Sequence, residues 1–346
     1  LTELDSVPGG VGITAFLNEL YGEKEIVVGG KDAMIAGFAR IIEALALGDK
    51  KNLVVIAVSE EAAAYRGEFE WLAARLRGRF SLNVRVGAAE ELCAGTSENA
   101  IHLAGKNGAE RVCGIYRFFE LFDLEKLPCR DALLKCVETG GVQLSPPMRV
   151  FQEEKLFLAL FWHPRLVEFW KQALPPKDLA LLKAVIPPSW PVEPAENFPP
   201  HALIHGPAVG GVPLTDWAQL SRAAQKQRDY ILKLSGFHPN AWGARSVTLG
   251  NDVPSQEWEA SLKEALDNAH KHPFVLQHFE HPSLQSHAVF NEAGEVEDFP
   301  CRVRLCPYYF NVQNAVSLGG VLATACPVDK KIIHGMSAAT LVPCAT

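Results

Sequence analysis

The chain has 346 residues, of which 48% are hydrophobic and 21% charged, with a formal net charge of -7. That composition describes a globular protein with room for two or three structural units. The acidic balance argues against a dedicated nucleic-acid binder, since phosphate contacts need a basic surface, and no apolar run reaches membrane-span length.

In chain order, residues 1–24 (LTELDSVPGGVGITAFLNELYG and two more) read as strand, glycine turn and helix. IVVGG (26–30) is expected to be a short strand, Ala33 to Leu47 a helix, and NLVVIAVS (52–59) a central parallel strand covered on both faces. EEAAAYRGEFEWLAARLRGRF follows as an amphipathic helix, then strands LNVRVG (82–87) and ERVCGIYRFF (110–119). This alternation marks an α/β subdomain ending near residue 145. From Glu153 the texture changes to the helices EEKLFLALFWHPRLVEFWKQAL and KDLALLKAV. The segment PPSWPVEPAENFPPH (187–201) is expected to be a loop, because each proline removes an amide donor. Helix WAQLSRAAQKQRD, strands YILKLSG and SVTLG, helix SQEWEASLKEALDNA and strand FVLQHF come next. Strands around CRVRLCPYYF and GGVLATAC close an α+β region that reads as antiparallel.

Three features carry candidate chemistry. Glu3 and Asp5, two apart on an expected strand, would project from one face and suit magnesium, which favours carboxylates, phosphates and retained water. The adjoining Gly9, Gly10 and Gly12 form either a phosphate-cradling loop or a tight turn into a helix. Gly10 to Ala15 also satisfies G-x-G-x-x-A, the dinucleotide fingerprint of an NAD(P)-binding oxidoreductase, although Pro8 and the acidic residues before it depart from that pattern. Lys233 sits in an apolar strand, where an unpaired ammonium is costly, or else faces solvent on an alternating strand. The strand runs into a loop with Gly236, Gly243, Arg245 and Ser246, as expected of a flap whose amides approach an anion. PFVLQHFEHP (273–282) turns polar at Gln277, which suits an adenine-binding strand end or a polar exit from a sheet.

Other groups have ordinary readings. The eight cysteines include no C-x-x-C pair and are expected to be reduced, buried thiols, Cys306 included, in a cytoplasmic protein. His270, His272, His278, His281 and His287 match no zinc spacing and read as solvated or capping residues. Tyr116 and Arg117 read as a core tyrosine and a salt-bridged arginine, with ligand contact as the alternative. Because the chain opens on Leu1 inside an expected strand, an upstream segment is expected.

The succession EKLFLAL, ILKLSG…WGARSV, FVLQHFEHP, RLCPYYF, GGVLATACP and KKIIHGM, with ELDSVPGG at the start, resembles the circularly permuted branch of the ATP-grasp superfamily, which includes glutathionylspermidine synthetase-like proteins. The resemblance covers most of 150–340. It implies an α/β and α+β fold: an ATP-grasp-like nucleotide-binding unit with an accompanying Rossmann-like, pre-ATP-grasp α/β subdomain, in permuted order. The divisions would be 1–24 as part of the ATP-grasp core, 25–150 as the subdomain and 151–346 as the nucleotide-binding region. The implied cofactors are ATP and Mg2+. Lys155 and Lys233 would contact phosphates. Ser235, Gly236, Gly243, Ala244, Arg245 and Ser246 would cover them, and Gln277, His278 and Phe279 would form the adenine hinge. Glu3 and Asp5 would hold the metal, together with an arginine and an aspartate upstream of this chain. Arg302 and Arg304 would stabilise a transferring phosphoryl group, or else pair with Glu295 or Glu297 in a surface ladder. The implied activity is a carboxylate–amine or carboxylate–thiol ligase acting through an acyl-phosphate, on small-molecule partners without nucleic acid or membrane. The alternative is a nucleotide-binding relative without catalysis.

Overall fold

The computed structural model describes the chain except residues 25, 96–98, 106–107, 153, 198–201, 204, 236–237, 242–244, 334–338 and 346, and the side chain of Ala94. It is a mixed α/β protein with several sheets, and its contacts divide it into two compact units. One comprises residues 1–6 and 149–281, the other 7–148 and 282–346. This division differs from the expected 1–24, 25–150 and 151–346, because the last strands cluster with the early α/β segment.

In the second unit, helices α1 (Val11–Tyr21) and α2 (Ala33–Leu45) precede β1 (Val54–Val58), α3 (Arg66–Phe80) and β2 (Val84–Ala88). A small antiparallel sheet of β3 (Leu92–Ala94), β4 (Ile101–Leu103) and β5 (Glu110–Val112) follows, then β6 (Gly114–Phe118), α4 (Arg130–Glu138) and β7 (Gln143–Ser145). Strands β2, β1, β6 and β7 form a parallel sheet in that order. Every residue of β1 is buried, as its unbroken apolar run requires. Alternation sends Val54, Ile56 and Val58 into one core with Phe38, Ile42 and Phe69, and Val55 and Ala57 into another with Leu133 and Cys136.

The first unit begins with α5 (Leu156–Trp162), α6 (Val167–Ala173) and α7 (Pro176–Val185). The expected single helix over 153–174 is broken at His163–Pro164, where proline cannot continue the hydrogen-bond ladder. Strand β8 (Ser189–Val192) lies inside the segment expected to be a loop. It is an edge strand, the one place in a sheet that tolerates a residue such as Pro191. After the two-residue strands β9 (Ala208–Val209) and β10 (Val212–Pro213) come α8 (Trp217–Ser221), β11 (Tyr230–Leu234), β12 (Val247–Leu249), α9 (Ser255–Asp267) and β13 (Phe274–His278). The antiparallel sheet runs β12-β11-β13-β8, and Trp217, Leu220, Trp258 and Leu262 of α8 and α9 pack on one of its faces.

The second unit is completed by β14 (Leu284–Phe290), β15 (Val296–Val312), β16 (Ala315–Pro327) and β17 (Thr340–Pro343), an antiparallel sheet in chain order. Tyr308, Phe310 and Leu322 join the core formed by α1, α2 and α3. Two expected strands are absent. Residues 1–5 carry no ladder, and 26–30 hold only an isolated bridge at Val27 before a turn through Gly29 and Gly30, both at positive φ. No helix among the described residues is long and apolar enough to cross a membrane.

Candidate functional site

β11 alternates. Tyr230, Leu232 and Leu234 face the α8–α9 core, so Ile231 and Lys233 face the other side. On that side the register brings Val275 and Gln277 of β13 and Ser189 of β8 into line with them. Lys233 is 6% exposed. Its Nζ donates to Gln277 Oε1 at 2.9 Å and to the Thr2 carbonyl at 3.0 Å. Neither acceptor is charged. Burial pushes the ammonium pKa down to about 8, partly offset by the Glu3 carboxylate and reinforced by Lys155. A cavity of about 320 Å³ adjoins this lysine, lined by Ile186, Pro188, Ile231, Gln277 and Phe279 among others. An ammonium whose hydrogen-bond acceptors are both neutral, beside such a cavity, is suited to an anionic ligand.

The other sequence-predicted residues fall into distinct positions. Lys155 donates to the Ala241 carbonyl at 2.8 Å and lies 3.7 Å from Glu3. The structure thus joins Lys155, Lys233 and Glu3 in one electrostatic cluster. Ser235 is buried, donates to Glu154 at 2.5 Å and accepts from the Leu156 amide at 2.9 Å, so its hydroxyl anchors the loop start. Ser246 donates to the Asn240 carbonyl at 2.6 Å, and Arg245 is exposed. Gly236, Gly243 and Ala244 lie outside the described residues.

Gln277 was expected to act at an adenine hinge, but its side chain is 2% exposed and engages Lys233. His278 also lines the cavity, and its ring lies edge-on to Tyr230. The Phe279 amide donates to the Asp229 carbonyl at 2.9 Å.

With no strand at residues 1–5, the shared-face argument for Glu3 and Asp5 lapses, and Glu3 instead faces Lys155. No group of three or more His, Cys, Asp or Glu among the described residues is placed to hold a metal ion. Glu3 and Asp5 would supply at most two of magnesium's oxygen ligands, with phosphate and water completing the near-octahedral shell.

The glycine segment of 9–12 is a turn, and its anion is already part of the chain. Glu68 of α3 accepts from the Gly10 amide at 2.8 Å and the Ile13 amide at 2.9 Å, filling the N-terminus of α1 where a pyrophosphate would sit. Burial raises the Glu68 pKa, opposed by the Ile13, Gly10 and Gly12 amides. Gly10 has φ of 87°, and an added Cβ would meet the Tyr308 hydroxyl, so the turn requires glycine. The dinucleotide reading is excluded on this geometry.

In the second unit, Arg302 and Arg304 share a face of β15, opposite Cys326 and Thr324 of β16. The Nε atoms of both arginines and the Thr324 hydroxyl are buried without a hydrogen-bond partner among the described residues. The expected ladder to Glu295 or Glu297 is not formed there. Glu295 instead closes a hairpin turn with Asn291. Thr324 was missed by the sequence reading, where its only signal is a hydroxyl in the apolar run GGVLATAC. Arg117 is fully buried and donates to the Phe119 carbonyl at 2.6 Å, serving the parallel sheet.

No family model and no curated protein sequence matches the chain. Among solved structures, it is similar to D-alanyl-alanine synthetase A from Vibrio cholerae O1 biovar eltor str. N16961, at 9% identity and a TM-score of 0.38, over 84% of this chain and 72% of that one. It is also similar to a putative gamma-glutamylcysteine synthetase from Methylobacillus flagellatus KT, at 12% identity and a TM-score of 0.47, over 98% and 75%. At those values a likeness says nothing of chemistry.

Proposed function

We propose that the chain is an ATP-dependent ligase of the permuted ATP-grasp type, joining a small carboxylate to an amine or thiol. The observation that carries this reading is Lys233, a buried ammonium with two neutral acceptors beside a cavity of about 320 Å³. Lys233 would hold nucleotide phosphate, and the apolar lining of Ile186, Pro188 and Ile231 would cover the base. Lys155 would anchor the 235–246 loop through Ala241 and add positive charge to the cluster. In this reaction class a carboxylate oxygen takes the γ-phosphoryl group and ADP departs. The amine or thiol then attacks the acyl carbon, the acyl–oxygen pair leaves with phosphate, and the nucleophile loses its proton. The protein's part is positioning and charge stabilisation. The two arginines, with unsatisfied Nε groups, suit the anionic group of such a substrate. Magnesium would be held by Glu3 and Asp5 together with nucleotide phosphates and water, and no step is assigned to it.

A second reading, a nucleotide-binding protein without turnover, is favoured by Lys155, whose ammonium is engaged by the Ala241 carbonyl and lies 3.7 Å from Glu3. The test is calorimetry with ADP and a non-hydrolysable ATP analogue, followed by isotope exchange between ADP and ATP with a panel of acids and amines. Binding with exchange supports the ligase, and binding without exchange across the panel supports the second reading. No binding of either nucleotide removes both.

A further inference from the structure

Lys233 is held by a directional relay that begins two strands away. The Ser189 hydroxyl, 1% exposed, donates to the Pro187 carbonyl at 2.8 Å, which commits its only hydrogen. Its oxygen therefore meets the Gln277 side chain solely as an acceptor, and Gln277 Nε2 donates to it at 3.1 Å. With the amide nitrogen fixed on that side, Gln277 Oε1 faces Lys233 at 2.9 Å. The reverse orientation would set amide hydrogens against the Lys233 ammonium and the amide oxygen against a hydroxyl oxygen whose only hydrogen is already given to Pro187. We propose that Ser189 and Gln277 are positioning residues that present an uncharged acceptor to Lys233 and so add no negative charge of their own that would compete with an anionic ligand. A carboxylate in the place of Gln277 would hold the ammonium more tightly, but it would also neutralise it and repel the ligand. The identity of that ligand as a nucleotide rests on the proposed function. The relay itself does not.

Two measurements separate these dependencies. The first is ADP affinity by calorimetry. Ser189→Ala is expected to bind roughly fivefold more weakly, the size of one uncharged hydrogen bond, and Ser189→Thr, which keeps the hydroxyl, to recover affinity. Gln277→Glu is expected to bind ADP more weakly than Gln277→Leu, and Ser189→Ala to have no further effect in the Gln277→Leu background. An additive Ser189 effect, or a Gln277→Glu variant that binds as tightly as the parent, overturns the proposal. The second measurement needs no nucleotide: hydrogen exchange of the Gln277 side-chain amide protons, followed by NMR. They are expected to exchange slowly in the parent and rapidly in Ser189→Ala. Equally fast exchange in both proteins overturns the relay even if ADP binds, whereas slow exchange in a parent that binds no ADP upholds the relay and removes only the nucleotide reading.

Discussion

Lys233 and the Arg302–Arg304 pair are both cations on faces of antiparallel sheets, one in each unit, and their surroundings are opposite. Lys233 is almost fully buried and its ammonium has two neutral acceptors, whereas the arginine Nε atoms are occluded with none. The ammonium can vary its charge, since burial brings its pKa to about 8, but a guanidinium stays charged at any ordinary pH. The first arrangement satisfies its cation with neutral acceptors, and the second leaves two guanidinium donors unsatisfied. Each difference can be broken by substitution.

The largest expected effect belongs to the arginines. Replacing both Arg302 and Arg304 by Ala should lower turnover by at least ~10²-fold, the scale of losing a charge-stabilising donor, while leaving ADP affinity unchanged. Equal losses in turnover and ADP affinity would remove the separate role given to the arginines. Next comes Lys233→Ala, which should cost about 1.5–3 kcal/mol of nucleotide binding, as for a hydrogen bond to a charged group, with the fold retained. Calorimetry on a variant with a normal circular dichroism spectrum checks this, and unchanged affinity sinks the assignment.

Glu68→Ala separates the glycine turn from both cation groups. It leaves the Gly10 and Ile13 amides without their carboxylate, and about 1–3 kcal/mol of folding stability should be lost in a urea titration. ADP affinity of the folded fraction should not change. A large loss of nucleotide affinity would restore the glycine segment as a ligand loop.

The pH dependence of Lys233 has two opposite signs. Its folded-state pKa is depressed from 10.5 to about 8, so the folded state prefers the neutral amine. That contribution to stability is fully present above 10.5 and is lost as pH falls through 8. The unliganded protein should therefore gain stability, relative to Lys233→Met, as pH rises from 8 to 10.5. Anion binding needs the ammonium and should weaken over the same interval. Parallel trends in stability and affinity would contradict the assignment of the charge to ligand binding.

How much of this was legible in the sequence depends on whether the cause is local. Lys233 was readable because a cation within YILKL breaks an apolar strand, and β1 because its run of aliphatic residues fits a strand covered on both faces. Gln277 was singled out for its place at a strand end, but the bond of its side chain to Lys233 was not legible, since it reaches across the ladder to a residue two positions off its register partner. Ser189 was hidden by the prolines around it, which read as a loop until an edge strand accommodates them. Glu68 lies 58 residues from Gly10, and no pattern along the chain announces that a carboxylate caps that turn. The strand expected at residues 1–5 failed for a related reason: alternation describes which way side chains point only where a neighbouring strand supplies a ladder.

The smallest effect tests the arginine face most directly. Thr324 stands opposite Arg304 and is 1% exposed, yet its hydroxyl has no partner among the described residues. A buried hydroxyl without a hydrogen bond is a cost to the folded chain, and valine matches threonine in shape while removing it. Thr324→Val should therefore be neutral or stabilise the unliganded protein by up to about 1 kcal/mol, read as a higher urea midpoint at unchanged slope. If the hydroxyl instead completes an anion site with the two arginines, the same variant should lose part of the turnover that the double arginine substitution abolishes. Stability gained and turnover lost together mean that the face is kept unsatisfied for a ligand. A loss of stability beyond about 1 kcal/mol would mean that the hydroxyl already has a partner in the folded chain, and that this face is structural.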